Sequence, residues 1–346
     1  MILDEGDHMV TIKDIAKELH LGVSTVSMAL NDNPRIGQAT RALVLEKAKE
    51  LGYVRNGIAV DLQKKCTNII LFVVTDASRS FFSKTLHAIQ KRVAEYDYDL
   101  LIATTQNSSR TAKRFISEHR ADGVIIYTNQ IEDEFIQAYA RKDFPVYVMG
   151  RRVDGDDIYS DNMQPYETGE SVAVDYLVEK GHQRIAFVKG SMKTLGTPRR
   201  LAGYKSALAK HGIAYQENLI FDAQGNTFEG GYDATMEIIE HLDDIDAIYY
   251  SNDDIALGGM RALQHRNIRI PDDISIIGSN NLPESSLVSP ALTTVDPSMA
   301  DGANFAVDCL MKAIAKQYKE LEEAMKDRKS TYEAVVERET VKDKKK

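Results

Sequence analysis

The segment from Val23 to Leu30 has small and apolar side chains in a pattern that could contact the edges of nucleic-acid bases. Val26 and Leu30 are spaced i, i+4 and predict the buried side of a short helix. The outer side then carries Val23, Ser24, Ser27 and Met28. A helix that exposes small side chains is suited to the major groove of DNA. Groove recognition is one hypothesis for this segment, and packing in an ordinary three-helix bundle is the other.

Two further helices are predicted around this segment. Thr11 and Asp14 are three residues apart and are close to a capping box at the start of "IKDIAKEL". The turn "HLG" follows, and then a third helix is predicted in "QATRALVLEKAKELGY". Its apolar stripe is predicted to be Leu43, Val44, Ala48 and Leu51. Two short helices joined by a tight turn describe a helix-turn-helix.

The charge of the chain is distributed unevenly. Residues 9–65 contain nine Lys or Arg and six Asp or Glu, a net of +3, whereas the net charge of the whole chain is −9. A modestly basic segment on an acidic body is expected of a small nucleic-acid module attached to a larger regulator. A chance distribution is the alternative.

Several classes of protein are disfavoured by what the sequence lacks. It has no run of 18 apolar residues and no apolar signal core, so we expect no membrane partner and a cytoplasmic location. Its two cysteines, Cys66 and Cys309, are expected to be reduced thiols, and no Cys/His spacing suggests a metal site. Phosphate-loop, dinucleotide-binding, HExxH and GxSxG motifs are missing, so we expect neither a cofactor nor catalytic residues.

From residue 67 onward, short apolar runs alternate with amphipathic helical segments. "NIILFVV", "GVIIY", "RIAFVKG" and "ISIIG" are typical of strands buried on both faces, which predicts parallel sheets covered by helices. The pattern runs once near 67–161 and again near 162–290, so two lobes are expected. Ligands of such sheets bind beyond the carboxyl ends of the strands, which here predicts a cleft between the lobes.

The strand ends and the loops after them supply aromatic, amide, carboxylate and guanidinium groups. These are Asp76, Ser80, Phe81, Phe82, Tyr127, Arg151, Arg152, Asn162, Arg200, Asn252, Asp253 and Asn280. Aromatic rings that stack on a ligand ring, with polar groups that bind hydroxyls, suit a sugar or a nucleobase. For each residue the alternative is that it caps a helix or satisfies a loop, and the pair at 151–152 could be exposed surface.

Several ordered segments resemble the lactose/galactose repressor (LacI/GalR) family. The resemblance begins with "TIKDIAKELHLGVSTVSMALND", "TRALVLEKAKELGY" and "NGIAVDL". It continues to about residue 340 through "DGVIIY", "EKGHQRIAFVKG", "RRLAGYKSAL", "SNDDIALGGMRAL", "IPDDISIIGSNN" and "PALTTV". It implies a small all-α helix-turn-helix headpiece and an α/β two-lobed body, like periplasmic binding proteins, with two doubly wound parallel sheets.

The resemblance also implies domain boundaries. The headpiece would span 9–54 and a hinge helix 55–65. The first lobe would comprise 66–161 and 291–328, and the second 162–290 and 329–340. Residues 1–8 and 341–346 are expected to be disordered.

For DNA, the resemblance implies that Val23, Ser24 and Met28 contact base edges. The family usually has Arg or another polar residue at the position of Met28, and Met offers only apolar contact, for example with a thymine methyl. In the hinge, Asn56 would be the cap, Ala59 the small residue in the minor groove and Leu62 the wedge between base steps. The full set of expected DNA contacts is Thr11, Val23, Ser24, Thr25, Ser27, Met28, Asn31, Arg41, Asn56, Ala59 and Leu62.

For the cleft, Arg200, Asn252 and Asn280 match positions that touch effectors in the family, and Phe81 and Phe82 match an aromatic site. The family more often has Asp at the position of Asn280, so a different pattern of ligand hydroxyls is expected. The complete expected effector set is Asp76, Phe81, Phe82, Arg151, Asn162, Arg200, Asn252 and Asn280.

The function that the resemblance implies is that of a homodimeric repressor. It would bind a roughly palindromic double-stranded operator, and a small molecule, with a sugar favoured, would change its affinity for DNA. A protein corepressor that docks on the body stays open, as does the choice between inducer and small-molecule corepressor. The alternatives from other classes are a solute-binding protein, which would lack residues 9–62, and a nucleotide-dependent enzyme, which would need a phosphate loop.

Overall fold

The computed structural model describes residues 10–54, 66–161, 171–327 and 334–346. The chain divides into two compact units, Met1–Cys66 and Thr67–Lys346. The predicted hinge residues Asn56, Ala59 and Leu62, together with Asn162 of the predicted cleft, lie outside the described residues.

The described part of the first unit consists of three helices, α1 (Ile12–Glu18), α2 (Val23–Leu30) and α3 (Gln38–Glu50). At the start of α1, the Asp14 carboxylate accepts hydrogen bonds from the backbone N–H and the hydroxyl of Thr11, at 2.8 and 2.7 Å. The core is formed by Ile15, Ala16, Val26, Ala29, Val44 and Ala48. Each helix contributes two buried residues, one of which is an alanine, and these small side chains allow the helices to approach closely.

The predicted burial of Leu43 in α3 is wrong. Its side chain is 48 % exposed, whereas Val44 and Ala48 are buried. A step of about 100° per residue turns Leu43 away from the side that Val44 and Ala48 share. The neighbouring Leu45 is 50 % exposed, so α3 has apolar groups on its outer surface.

The second unit begins with a five-stranded, all-parallel sheet in the order β2-β1-β3-β4-β5. Its strands are β1 (Ile69–Val74), β2 (Asp99–Thr104), β3 (Gly123–Tyr127), β4 (Val146–Val148) and β5 (Ile158–Ser160). Its crossover helices are α4 (Ser80–Ala94), α5 (Arg110–Ser117) and α6 (Asp133–Tyr139). This sheet and its helices form the first lobe, and the buried residues of β1 pack against helices on both faces.

The second lobe has a six-stranded sheet in the order β11-β10-β9-β8-β6-β7, with β11 antiparallel and the other strands parallel. Its strands are β6 (Ile185–Lys189), β7 (Ile220–Asp222), β8 (Ala247–Tyr250), β9 (Ser275–Ser279), β10 (Thr294–Asp296) and β11 (Ala334–Val336). Its helices are α7 (Val172–Glu179), α8 (Gly196–Lys210), α9 (Phe228–Ile239) and α10 (Asp253–His265).

After β10 the chain returns to the first lobe. Ala303, Val307 and Leu310 of α11 (Met299–Ile314) share a core with Ile70 and Phe72 of β1. Helix α12 (Tyr318–Asp327) adds Leu321 to this core.

The predicted assignment of residues 291–328 to the first lobe is wrong for β10. This strand pairs with β9 in the second sheet, where the backbone N–H groups of Gly278 and Asn280 donate to the carbonyls of Thr293 and Val295. Without β10, these N–H groups at the edge of β9 would have no strand to pair with. The crossing between lobes therefore follows Asp296.

The predicted disorder of residues 341–346 is also wrong. Val341 packs into the core of the second lobe, and the N–H of Lys342 donates to the Ser275 hydroxyl at 3.0 Å. The carbonyl of Lys342 lies 3.0 Å from Nε2 of His182, and the N–H of Lys344 donates to the Lys180 carbonyl at 2.9 Å. The many lysines led us to expect a solvated tail. Most of the contacts that hold it are made by backbone groups, and amino-acid composition says nothing about those groups.

Among the described residues, no helix has the length and apolar character that crossing a bilayer requires.

Candidate DNA-binding surface and effector cleft

Helix α2 presents the side chains that the sequence assigned to its outer side. Val23 is 47 % exposed and Ser24 is exposed, while Ser27 and Met28 are partly exposed. Val26 is fully buried, which fixes this rotation of the helix. No residue of α2 is charged, so this surface offers hydroxyl and apolar groups rather than charges to a partner.

Of the other expected DNA contacts in the described part of the headpiece, Thr11 and Asn31 are exposed and Thr25 is partly exposed. Arg41 lies in α3 and is held by the turn before that helix. Its guanidinium donates to the Asn33 carbonyl at 3.1 Å and forms an ion pair with Asp32. In the structure Arg41 therefore stabilises the connection from α2 to α3.

An aromatic group lies at the carboxyl edge of the first sheet. Phe81 and Phe82, in the first turn of α4, have ring centroids 5.0 Å apart and meet edge to face. The ring of Tyr127, the last residue of β3, lies 6.1 Å from Phe81 and 5.6 Å from Phe82. Phe82 is buried beneath Phe81, so Phe81 is the member that lines the open space next to it.

A polar group lies at the corresponding edge of the second sheet. The Arg200 guanidinium donates to the Ser251 carbonyl at 2.6 Å and to Oδ1 of Asn280 at 2.7 Å. Arg200 and Asn280 are far apart in sequence; Arg200 lies in the second turn of α8, which follows β6, and Asn280 directly follows β9. Asn252 lies beside Ser251, but its Oδ1 accepts from the Ile255 N–H at 2.9 Å and caps α10.

Asp253 connects the loops around this polar group. Its carboxylate accepts from the Leu282 N–H and the Ser285 hydroxyl, each at 2.8 Å, and from the Thr294 hydroxyl. Burial raises the pKa of Asp253, although these hydrogen bonds and the charge of Arg200 act in the opposite direction. At Gly278 a Cβ would collide with the Asp253 carboxylate, so this strand position requires glycine. The fixed carboxylate holds the segment after Asn280 in place.

A cavity of about 160 Å³ lies between the two lobes. It is lined by Phe81 and Lys84 from α4, by Asn280 and Leu282 after β9, and by Asp296, Ser298, Met299, Ala300 and Asp301 around the crossing after β10. Two of the predicted effector residues, Phe81 and Asn280, line it. Sequence reasoning missed Lys84, which lies one helical turn after Phe81, and missed the segment 296–301, which follows a strand end like the other candidates.

The other described members of the predicted effector set do not line this cavity; Phe82, Arg200 and Asn252 have the contacts given above, and Asp76 and Arg151 have local partners. Asp76 accepts from the N–H and hydroxyl of Ser78 at 3.0 and 2.7 Å, and these hydrogen bonds lower the pKa of Asp76. Arg151 donates to the carbonyl of Ile131 at 2.8 Å and pairs with Asp133. Its neighbour Arg152 is exposed and pairs with Asp154.

Three side chains at the start of α4 reach across to the second lobe. Arg79 donates to the Asn226 carbonyl and lies 3.1 Å from the Asp254 carboxylate. Ser80 donates to Glu284 at 3.1 Å, and Lys84 donates to the Asn281 carbonyl. Burial raises the pKa of Asp254, and the nearby Glu284 raises it further, whereas Arg79 lowers it.

Within the described ranges, no group of three or more His, Cys, Asp or Glu side chains is arranged to hold a metal ion. The site consists of hydrogen-bonding groups and apolar walls, which bind and orient a ligand.

A helix-turn-helix unit followed by a two-lobed α/β body with a polar cleft defines a DNA-binding transcriptional regulator rather than an enzyme. Residues 11–56 match the model of bacterial regulatory proteins of the lacI family, and residues 67–330 match that of periplasmic binding proteins and the sugar-binding domain of the LacI family. The chain belongs to the LacI family.

Relatives and solved structures agree with this assignment. The chain is 33 % identical over 292 residues to a probable HTH-type transcriptional repressor, ExuR, of Bacillus subtilis, covering 83 % of this chain and 86 % of the relative. It is 28 % identical over 312 residues to catabolite control protein A of Priestia megaterium, covering 89 % and 93 %. A lac repressor dimer bound to operator and an anti-inducer has the same fold, with a TM-score of 0.77 at 23 % identity over 97 % of this chain and 100 % of that one.

Proposed function

We propose that this regulator binds a roughly palindromic operator as a homodimer in the cytoplasm and represses transcription there. In this proposal a small molecule, a sugar in the first instance, binds the cleft between the lobes and changes the affinity for DNA. A ligand can shift such an equilibrium only through its different affinities for the two arrangements of the lobes. The solved lac repressor, a dimer bound to operator, supports the assembly by its similar fold.

The observation that carries the ligand part of the proposal is the cavity with its aromatic and polar walls. Phe81 offers a face for a sugar ring, and Asn280 and Lys84 offer hydrogen-bond donors from opposite lobes. A ligand that bridges both walls would stabilise one relative arrangement of the lobes. Cleft residues thus affect DNA affinity without contacting DNA.

The DNA part of the proposal depends on α2. Val23, Ser24 and Met28 form its exposed start and centre and would contact base edges, with Thr11, Thr25, Ser27, Asn31 and Arg41 around them. The hinge residues Asn56, Ala59 and Leu62 would act in the minor groove. Because α2 has no charge, direct readout here would depend on hydroxyl and methyl contacts.

The test begins with in vitro selection of an operator by the full chain. Fluorescence anisotropy then measures affinity for the selected operator with and without each compound that stabilises the protein in a thermal-shift screen of sugars, nucleobases and phosphosugars. We expect a symmetric selected sequence, and at least one compound that changes operator affinity. Selection of no sequence, or stabilising compounds that leave DNA affinity unchanged, would contradict the proposal.

A further inference from the structure

The orientation of the Asn280 amide is set by its neighbour. A guanidinium group only donates hydrogen bonds, so the amide atom that faces Arg200 at 2.7 Å is the oxygen. The amide NH₂ group then lies on the other side of the side chain. The backbone of Asn280 is also held, with φ of 115° and its N–H donating to the Val295 carbonyl at 2.8 Å. Asn280 lines the cavity, and the N–H groups of this NH₂ are the donors that its side chain can offer there.

Lys84 is the second donor on this cavity and comes from the opposite lobe. Its ammonium group donates to the Asn281 carbonyl, next to Asn280. An ammonium group has three N–H donors, so this bond leaves capacity to bind a ligand oxygen. A charged donor and an amide donor therefore converge on the cavity from its two sides.

The two acidic residues of the cavity differ in the number of hydrogen bonds that their carboxylates already accept. The two Asp296 oxygens accept from the Ser298 N–H at 2.9 Å and from the Asn281 amide at 2.8 Å. Asp301 is exposed in the first turn of α11, where the helix N–H groups favour a negative charge. The Asp296 carboxylate is thus already bonded on both oxygens, and the exposed Asp301 has room to accept a hydrogen bond from a hydroxyl.

We propose that the effector of this cleft is a sugar acid, whose carboxylate lies between Lys84 and the Asn280 amide and whose hydroxyls face Asp301. A carboxylate only accepts hydrogen bonds, which matches two converging donors, and bonds between charged groups are the stronger ones. The cavity of about 160 Å³ is small beside the roughly 300–1,000 Å³ of sites for drug-sized ligands, which favours a monosaccharide. The inference rests on the proposed role of the cleft as the effector site.

The first experiment compares sugars that differ only in oxidation at one carbon. Isothermal titration calorimetry of the full chain is done with galactose and galacturonate, and with glucose, glucuronate and gluconate, at equal ionic strength, with acetate as the control for a simple carboxylate. We expect at least one acid to bind about tenfold or more tightly than its neutral partner, which corresponds to one well-placed charged hydrogen bond. Equal or tighter binding of the neutral sugars overturns the sugar-acid inference and leaves the sugar-effector function standing.

The second experiment changes the donor itself. Asn280→Asp has the same shape but replaces the NH₂ donor by an acceptor, and we expect it to reduce the affinity for the acid by about tenfold or more relative to the neutral sugar. Asn267→Asp makes the same charge change at an exposed position of the second lobe and is the matched control. Lys84→Met keeps the side-chain length without the charge and should lose acid binding as well.

Folding is checked by circular dichroism and thermal unfolding without ligand, which should show the secondary structure of the parent in each variant. An unchanged ratio of acid to neutral affinity in both Asn280→Asp and Lys84→Met contradicts the inference. Binding of neither acids nor neutral sugars contradicts the proposed sugar-effector function itself.

Discussion

The guanidinium of Arg79 and the carboxylate of Asp254 meet at 3.1 Å across the two lobes of the body. Arg79 precedes α4, and Asp254 lies in the first turn of α10, so the pair joins the amino-terminal ends of two helices on opposite sides of the cleft. Both side chains are about one-third exposed or less. This contact exists only while the lobes keep their present arrangement, so its strength contributes to the equilibrium that an effector shifts.

We expect Asp254→Asn to weaken effector binding by about fivefold, which corresponds to about 1 kcal/mol for one partly exposed ion pair. The amide keeps the shape of the carboxylate but loses its charge, so the arrangement with Arg79 and Asp254 in contact becomes less stable. Calorimetry with an effector found in the screen measures the change. Asp233→Asn, an exposed position in α9, is the control with the same charge change. Equal affinities for Asp254→Asn and the parent would show that the contact does not affect the equilibrium between the two arrangements of the lobes.

The same pair predicts a dependence on pH. Because burial raises the pKa of Asp254, this group takes up a proton at a higher pH than an exposed aspartate, whose pKa is about 3.9. Lowering the pH from neutrality towards this raised pKa neutralises Asp254, which removes both the cost of burying its charge and its attraction to Arg79. We therefore expect the advantage of the parent over Asp254→Asn to shrink as the pH falls. Calorimetry of both proteins at a series of pH values tests this, and a constant ratio of affinities would contradict it.

Met28→Arg should change which operator is preferred. Arg can donate two hydrogen bonds to guanine, a discrimination of about 1–3 kcal/mol, whereas Met offers apolar contact alone. In vitro selection at fixed salt should yield a new guanine in each half-site, symmetric about the centre. Met28→Lys adds the same charge but lacks the planar guanidinium that forms two parallel hydrogen bonds with guanine, and it is the control. Tighter binding with an unchanged selected sequence in Met28→Arg would mean that this side chain faces phosphate or solvent.

Leu62→Ala should reduce specific binding more than non-specific binding. A leucine wedge stabilises a kinked site, and only the specific complex includes the cost of unstacking, which is a few kcal/mol. Anisotropy on the selected operator and on unrelated DNA gives the two affinities, and circular-permutation assays give the bend. Leu45→Ala removes an exposed leucine of α3 and is the matched control. A bend of the same size in Leu62→Ala and the parent would remove the wedge from the mechanism.

Much of the fold could be predicted because central strands such as β1 and β3 are apolar along most of their length and most helices have one apolar side. Topology also predicts that the segments after β6 and β9 lie at one edge of the sheet, whereas the contact of Arg200 with Asn280 depends on the turn of α8 that carries Arg200. The exposure of Leu43 could not be predicted from the spacing of apolar residues. A leucine next to the apolar stripe of a helix gives the same sequence pattern whether it is buried by a neighbouring element or exposed to solvent. The orientation of Arg151 could not be predicted either. It is set by a hydrogen bond to the backbone carbonyl of Ile131, and the sequence does not show where that carbonyl lies.

The antiparallel strand β11 has a consequence for the behaviour of the protein at high concentration. An open edge of a parallel sheet presents unpaired backbone groups that can recruit strands from other molecules. Here the edge strand β11 has three residues, and it is followed by Glu337, Arg338 and Glu339. Arg338 donates to the Leu292 carbonyl at 2.7 Å, and Glu339 accepts from the Ala291 N–H at 2.7 Å. These charged side chains therefore bind the segment after β11 to the segment before β10. A strand of three residues followed by charged side chains offers a second molecule little backbone to pair with, which disfavours edge-to-edge aggregation on this side of the lobe.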